Sequence, residues 1–238
     1  MSEQVSRIRT ARPPYRFGLL LLVLVTSYLI SAFAAGPWVS AVQVALFLGV
    51  AALAVRSGRV ERRIAVAALI VVTAGSMVVG ALVLAYPIAA VQGVANAWKA
   101  VLLAFAVVLI VRRVLGRPEV TIQSIYGALS AYMIIGLMFA ACYGAMDRFG
   151  GGHFFAKGSP GNVQTFQYFS FTTLTTLGYG DFTAAHSGAR AIAVMEALLG
   201  QVFLATLVAR LVAAYRGPSD GQRAPQDRDP RVGVGEKT

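Results

Sequence analysis

The chain has 238 residues, of which 57% are hydrophobic and 13% charged. Soluble domains carry about 25% charged residues, so this depletion excludes an ordinary soluble domain and points to a membrane protein. A net charge of +11 would suggest nucleic acid in a soluble chain. Here the basic residues lie beside or between apolar runs, where membrane orientation explains them and no nucleic-acid partner is implied.

In chain order, residues 1–16 read as a cytoplasmic tail with Arg7, Arg9, Arg12 and Arg16. A spanning helix needs about 20 mostly apolar residues. Runs of that kind cover 17–35, 38–55, 64–86, 94–111, 121–145 and 187–212. The expected fold is therefore all-α, with six transmembrane helices. Four of them fall in a front region, residues 17–120. In the fourth, Lys99 is placed to snorkel to the interface. Arginines recur in the 56–63 loop and in the 112–117 loop, while the intervening loops have none. The positive-inside rule then puts these loops and both termini in the cytoplasm of a multi-pass plasma or inner-membrane protein. Residues 1–35 also resemble a signal peptide, but the apolar run is long for one, and retention is the expectation. The lone Cys142 sits in an apolar run and reads as a buried thiol, with no disulfide or CxxC chemistry.

Between the fifth and sixth spans the chain changes character. DRFGGGHFFAKGSPGN has turn chemistry throughout. VQTFQYFSFTTLTT is amphipathic and aromatic but too short to cross, and LGYGD then breaks the helix with Gly178 and Gly180. A half-helix followed by irregular backbone between two spans reads as a re-entrant segment, which is tolerated where protein buries it or it lines water. The stretch holds no nucleophile–base pair and no metal-ligand cluster, so no enzyme and no cofactor are expected. It offers backbone carbonyls and threonine hydroxyls. Glycine reaches left-handed angles without penalty, so Gly178 and Gly180 let successive carbonyls face one axis. Stacked rings of such oxygens replace the hydration shell of a monovalent cation.

Thr176-Leu177-Gly178-Tyr179-Gly180-Asp181 resembles the selectivity-filter signature of the potassium-channel superfamily, with Leu177 where valine is usual. The resemblance spans residues 121 to about 215 and implies a pore domain, 121–216, of outer helix, re-entrant pore helix, filter loop and inner helix. It implies K+ coordination at Thr176, Leu177, Gly178 and Tyr179, and an aromatic cuff of Tyr168, Phe169 and Tyr179. Thr172, Thr173 and Thr175 belong to the pore helix, whose carbonyl end carries about half a negative charge toward the bilayer centre. Asp181 would stand at the outer mouth. One such loop per chain cannot close a ring, so a homotetrameric pore follows; four loops build a potassium filter.

In the sixth span, Gly200 is either a hinge or a close-packing residue. Helical spacing from it sends Gln201, Leu204, Val208 and Val212 toward a cavity. Glu196 is a carboxylate inside a span, which marks function by default. It either lines the vestibule or bonds behind the filter to Thr172 or Thr173, ionised or protonated. Arg190 is placed to pair with Asp181 or Asp147. The front region lacks the arginine array of a voltage sensor, since its fourth span has arginines only at the cytoplasmic end. Residues 217–238, rich in Gly and Pro, are expected to be a disordered cytoplasmic tail. The leading function is passive, potassium-selective conduction. The alternatives are a weakly selective cation channel, or a membrane receptor or scaffold with a silent pore.

Overall fold

The computed structural model describes residues 17–33, 62–116, 121–150 and 152–215. The expected tails 1–16 and 217–238 and the expected span 38–55 lie outside the described residues. Among them run six helices: α1 Phe17–Phe33, α2 Arg62–Ala85, α3 Ala89–Leu115, α4 Ile122–Phe149, α5 Val163–Leu174 and α6 Ser187–Tyr215.

The fold is all-α, but the expected layout of six transmembrane spans plus a re-entrant pore helix and filter loop is corrected. Three of the described helices, α3, α4 and α6, are long and apolar enough to cross a membrane. They support a membrane location. α1 is described over 17 residues, Phe17–Phe33, and is not among the membrane-length helices of the described residues. α2 has 24 residues, Arg62–Ala85, and Ile70–Ala85 is its shorter apolar run among the described residues. α5 has only 12 residues.

Local signals explain where two central helices begin. Thr121 caps α4 by accepting from Ser124 N, and Asn162 caps α5 by accepting from Thr165 N; both are reciprocal capping boxes. α4 is the hub and contacts α1, α3, α5 and α6. Association of helices in lipid depends on close packing more than on hydrophobic drive, so small residues matter at contacts. Gly136 of α4 admits the Phe171 ring of α5, and Gly144 admits the Asn96 carboxamide of α3.

Two cores result. Leu24, Leu103, Ile110 and Ile134 join α1, α3 and α4. Ile135, Phe139, Tyr143, Phe166, Phe169 and Leu174 join α4 to α5, and the loop residues Phe154 and Phe155 complete that core. Cys142 is free and half-buried, not fully buried as expected. The spans differ sharply in cover: 56% of the α4 span is buried within the chain but only 11% of the α6 span. Leu198, Val202, Val208 and Val212 of α6 are exposed.

Candidate functional site

α5 buries Phe166, Gln167, Phe169, Ser170 and Leu174, a stripe at helical spacing. That stripe aims the end of the helix, and the chain beyond it, at α6. The last α5 carbonyls are taken up by donors close by. Thr175 N donates to Phe171 O at 3.1 Å and Thr176 N to Thr173 O at 2.9 Å. Leu177 N and Gly178 N both donate to Thr172 O, at 2.8 and 3.1 Å. Tyr132 Oη of α4 donates to Leu174 O at 3.2 Å. Side chains reinforce the turn: Thr172 Oγ1 donates to Phe169 O at 3.0 Å and Thr175 Oγ1 to Phe171 O at 2.7 Å.

Beyond this turn the backbone is left-handed at every second residue. φ is +58° at Thr176, +48° at Gly178 and +79° at Gly180. In a strand, successive carbonyls point opposite ways; an alternating sign of φ breaks that pattern. The amides of residues 175–178 are spent on α5, so the carbonyls that share their peptide planes, those of residues 174–177, point the opposite way. Thr176 is the informative position, because a threonine at positive φ is strained by roughly 1–3 kcal/mol and persists only where its surroundings impose it. Its hydroxyl donates to Thr175 O at 2.7 Å and accepts from Gln201 Nε2 of α6 at 3.2 Å. Leu177 and Tyr179 are 55% and 66% exposed in the single chain.

The segment is held on its outer side by aromatic and backbone contacts. Tyr168 stacks on Tyr179, with centroids 6.5 Å apart and planes 9° apart, and meets Phe182 edge-on at 5.8 Å. The Tyr168 hydroxyl is held above the ordinary phenol value, first by its hydrogen bond to the Asp181 carboxylate. Asp181 also accepts from Phe182 N at 3.0 Å. The expected cuff member Phe169 points elsewhere: it packs into the core on Tyr143, Phe154 and Phe155, and Phe182 stands against Tyr168 instead. A bridge between Phe155 and Ala184 ties the loop before α5 to the chain after Asp181. Ala156 N→Thr183 O and Ala185 N→Phe154 O, both 2.9 Å, close it. Arg190 bonds the Ala184 and Ala185 carbonyls at 2.9 and 3.1 Å, whereas an ion pair with Asp181 or Asp147 had been expected.

Glu196 of α6 is wholly buried. Its partners are not Thr172 or Thr173. Tyr143 Oη of α4 donates to Oε2 at 2.6 Å, and Ser170 Oγ of α5 lies 2.5 Å from Oε1. The same Ser170 hydroxyl lies 2.6 Å from the Gly136 carbonyl. A hydroxyl has one proton, and a carbonyl can only accept. The Ser170 hydroxyl thus faces two acceptors, the Gly136 carbonyl and the Glu196 carboxyl, and Glu196 joins α4, α5 and α6 at one point. One turn on, a Cβ at Gly200 would collide with the Leu174 carbonyl, which is a close-packing role for this glycine. Leu204 is half-buried, and Gln201, Val208 and Val212 are exposed.

Sequence reasoning missed Ser170, Tyr143, Tyr132 and the Phe154–Phe155 pair. The one available signal was a serine next to Phe169 and Phe171 in an aromatic-rich helix.

A membrane-embedded domain of two long helices, with a short helix and a carbonyl-presenting segment between them, defines an ion-channel-like class. Residues 127–216 match a family model described as "Ion channel", which covers most of α4 and all of α5 and α6. No curated protein and no solved structure matches the chain. The channel match fits a non-enzymatic protein, and among the described residues no cluster of His, Cys, Asp or Glu is able to hold a metal ion.

Proposed function

We propose that the chain is one subunit of a homotetrameric, potassium-selective channel that conducts passively across the cell membrane, with both termini cytoplasmic. The observation that supports this reading most is the left-handed backbone at Thr176, Gly178 and Gly180, coupled to amides turned into α5. That combination leaves carbonyls free to replace the hydration shell of an ion. K+ is then coordinated at Thr176, through carbonyl and hydroxyl, and at Leu177, Gly178 and Tyr179. Asp181, steadied by Tyr168, concentrates cations at the outer mouth. One segment supplies a quarter of each ring, and four copies close it. The thinly covered α6 offers the apolar surface that other copies and lipid would take up.

The Tyr143–Glu196–Ser170 junction acts as a positioning element, fixing α5 and hence the segment it carries. Glu196 is therefore assigned behind the filter and not to the vestibule. Arg112 and Arg113 lie in the last turn of α3, and Arg113 sits over the Phe17 ring at 5.9 Å. That placement supports gating without steep voltage dependence, which needs several charges crossing the field.

Flux through purified protein in liposomes tests the reading. Potassium uptake blocked by barium, with little sodium uptake, is the expected result. Equal sodium and potassium uptake would mean a weakly selective cation channel. No uptake, with Gly178→Ala indistinguishable from wild type, would leave a receptor or scaffold.

A further inference from the structure

A cavity of about 80 Å³ lies between α3, α4 and the start of α5, and none of residues 175–181 lines it. Two cationic side chains, Lys99 and Arg148, share it with the carboxamides of Asn96 and Gln167. Among the described residues no carboxylate lines it. Lys99 stands about 15 Å along α3 from Ala89, inside a membrane-length span where a cation without a counter-charge is costly. Arg148 lies 3.9 Å from Asp147. That carboxylate also accepts from Phe154 N at 3.3 Å and does not line the cavity.

A second observation is independent of the charges. Gln167 is 5% exposed, and its carboxamide oxygen has no hydrogen-bond partner. A buried acceptor without a partner asks for a donor. Asn162 and Val163, also in the lining, bring the positive end of the α5 dipole to the same place. The site therefore wants an anion with a hydrogen-bond donor beside it. It is too small for more than a compact polar group, and its apolar side, Leu103 and Leu137, suits a hydrocarbon continuation.

We propose that this cavity binds a phosphate group flanked by a hydroxyl donor, the headgroup chemistry of an anionic phospholipid such as phosphatidylglycerol. The phosphate oxygens meet Lys99, Arg148 and the α5 terminus, and a headgroup hydroxyl donates to the Gln167 oxygen. A lipid and free phosphate share this chemistry, so the test separates them.

Full-length protein in detergent is equilibrated with mixed micelles of phosphatidylglycerol or phosphatidylcholine, and retained lipid is counted by native mass spectrometry. Phosphatidylglycerol is expected to be held about tenfold more tightly than phosphatidylcholine. Lys99→Gln and Arg148→Gln should each weaken it roughly tenfold, a loss of about one charged contact, while Lys99→Arg keeps it. Gln167→Leu should weaken phosphatidylglycerol and leave phosphatidylcholine unaffected. In a parallel arm, inorganic phosphate alone is added at millimolar concentration. A rise in unfolding temperature in wild type, absent in Arg148→Gln, would support the same site with free phosphate as the source. Equal retention of the two lipids, with Arg148→Gln and Lys99→Gln both like wild type, would overturn the proposal. If Lys99→Gln does not fold, the more exposed Arg148→Gln decides alone. Retention is read without ion flux, so the outcome is separate from that of the proposed conduction.

Discussion

Replacing Glu196 by glutamine should leave the protein nearly as stable as wild type, whereas Glu196→Ala and Tyr143→Phe should each destabilise it. Here Glu196 is taken as a neutral acid that accepts from Tyr143, 2.6 Å away, and gives its own proton to the 2.5 Å contact with Ser170. Glutamine reproduces both: its oxygen accepts from Tyr143, and its amide donates to Ser170. Its cost should stay within about 0.5 kcal/mol, as for substitutions that break no special feature. Tyr143→Phe keeps the ring in its core but leaves a buried acceptor unmet, at about 1–3 kcal/mol. A loss of about 2 kcal/mol corresponds to roughly 4–8 °C in unfolding temperature for a chain of this size. Glu196→Ala also opens a cavity and should cost more. Thermal unfolding of the purified variants in one detergent, monitored by loss of the monodisperse species, reads all three. Tyr143→Phe and Glu196→Ala should be strongly non-additive, because they share one contact. If Glu196→Gln destabilises as much as Glu196→Ala, an ionised carboxylate accepting from both hydroxyls is the better description, and the reasoning fails.

Three further outcomes are expected. Gly200→Ala should cost about 1–3 kcal/mol by overpacking against the Leu174 carbonyl; an unfolding temperature equal to wild type would show that α6 moves aside freely. Asn162→Ala removes the capping box of α5 and should lower stability by about 1 kcal/mol, while Asn162→Ser, which can still cap, should recover most of it. Gly178→Ala should cost about 1–2 kcal/mol at its left-handed φ and abolish flux; a variant with wild-type flux would contradict the assigned backbone geometry.

The long apolar helices were legible because length and charge depletion are properties of composition alone. So was the short helix Val163–Leu174, because an aromatic amphipathic run ended by two glycines is too short to cross. The two glycines announced broken backbone correctly, since positive φ is their particular freedom. Thr176 at +58° was hidden, because its hydroxyl is held by Gln201 of α6, a contact 25 residues away in sequence. Glu196 was recognisable as an anomaly in a span. Its partners depended on the rotation of α5 against α4 and α6, which no single-helix pattern contains. The glycine- and proline-rich loop read as turn throughout, and the burial of Phe154 and Phe155, each only 2% exposed, was not foreseen, because it depends on the bridge to Ala184.

The central claim is that the carbonyls of residues 176–179 select potassium. Its most direct test is the reversal potential of purified protein in planar bilayers as sodium progressively replaces potassium on one side. The account predicts a reversal potential that follows the potassium gradient and ignores sodium. A reversal potential near zero with equal potassium on one side and sodium on the other would contradict it.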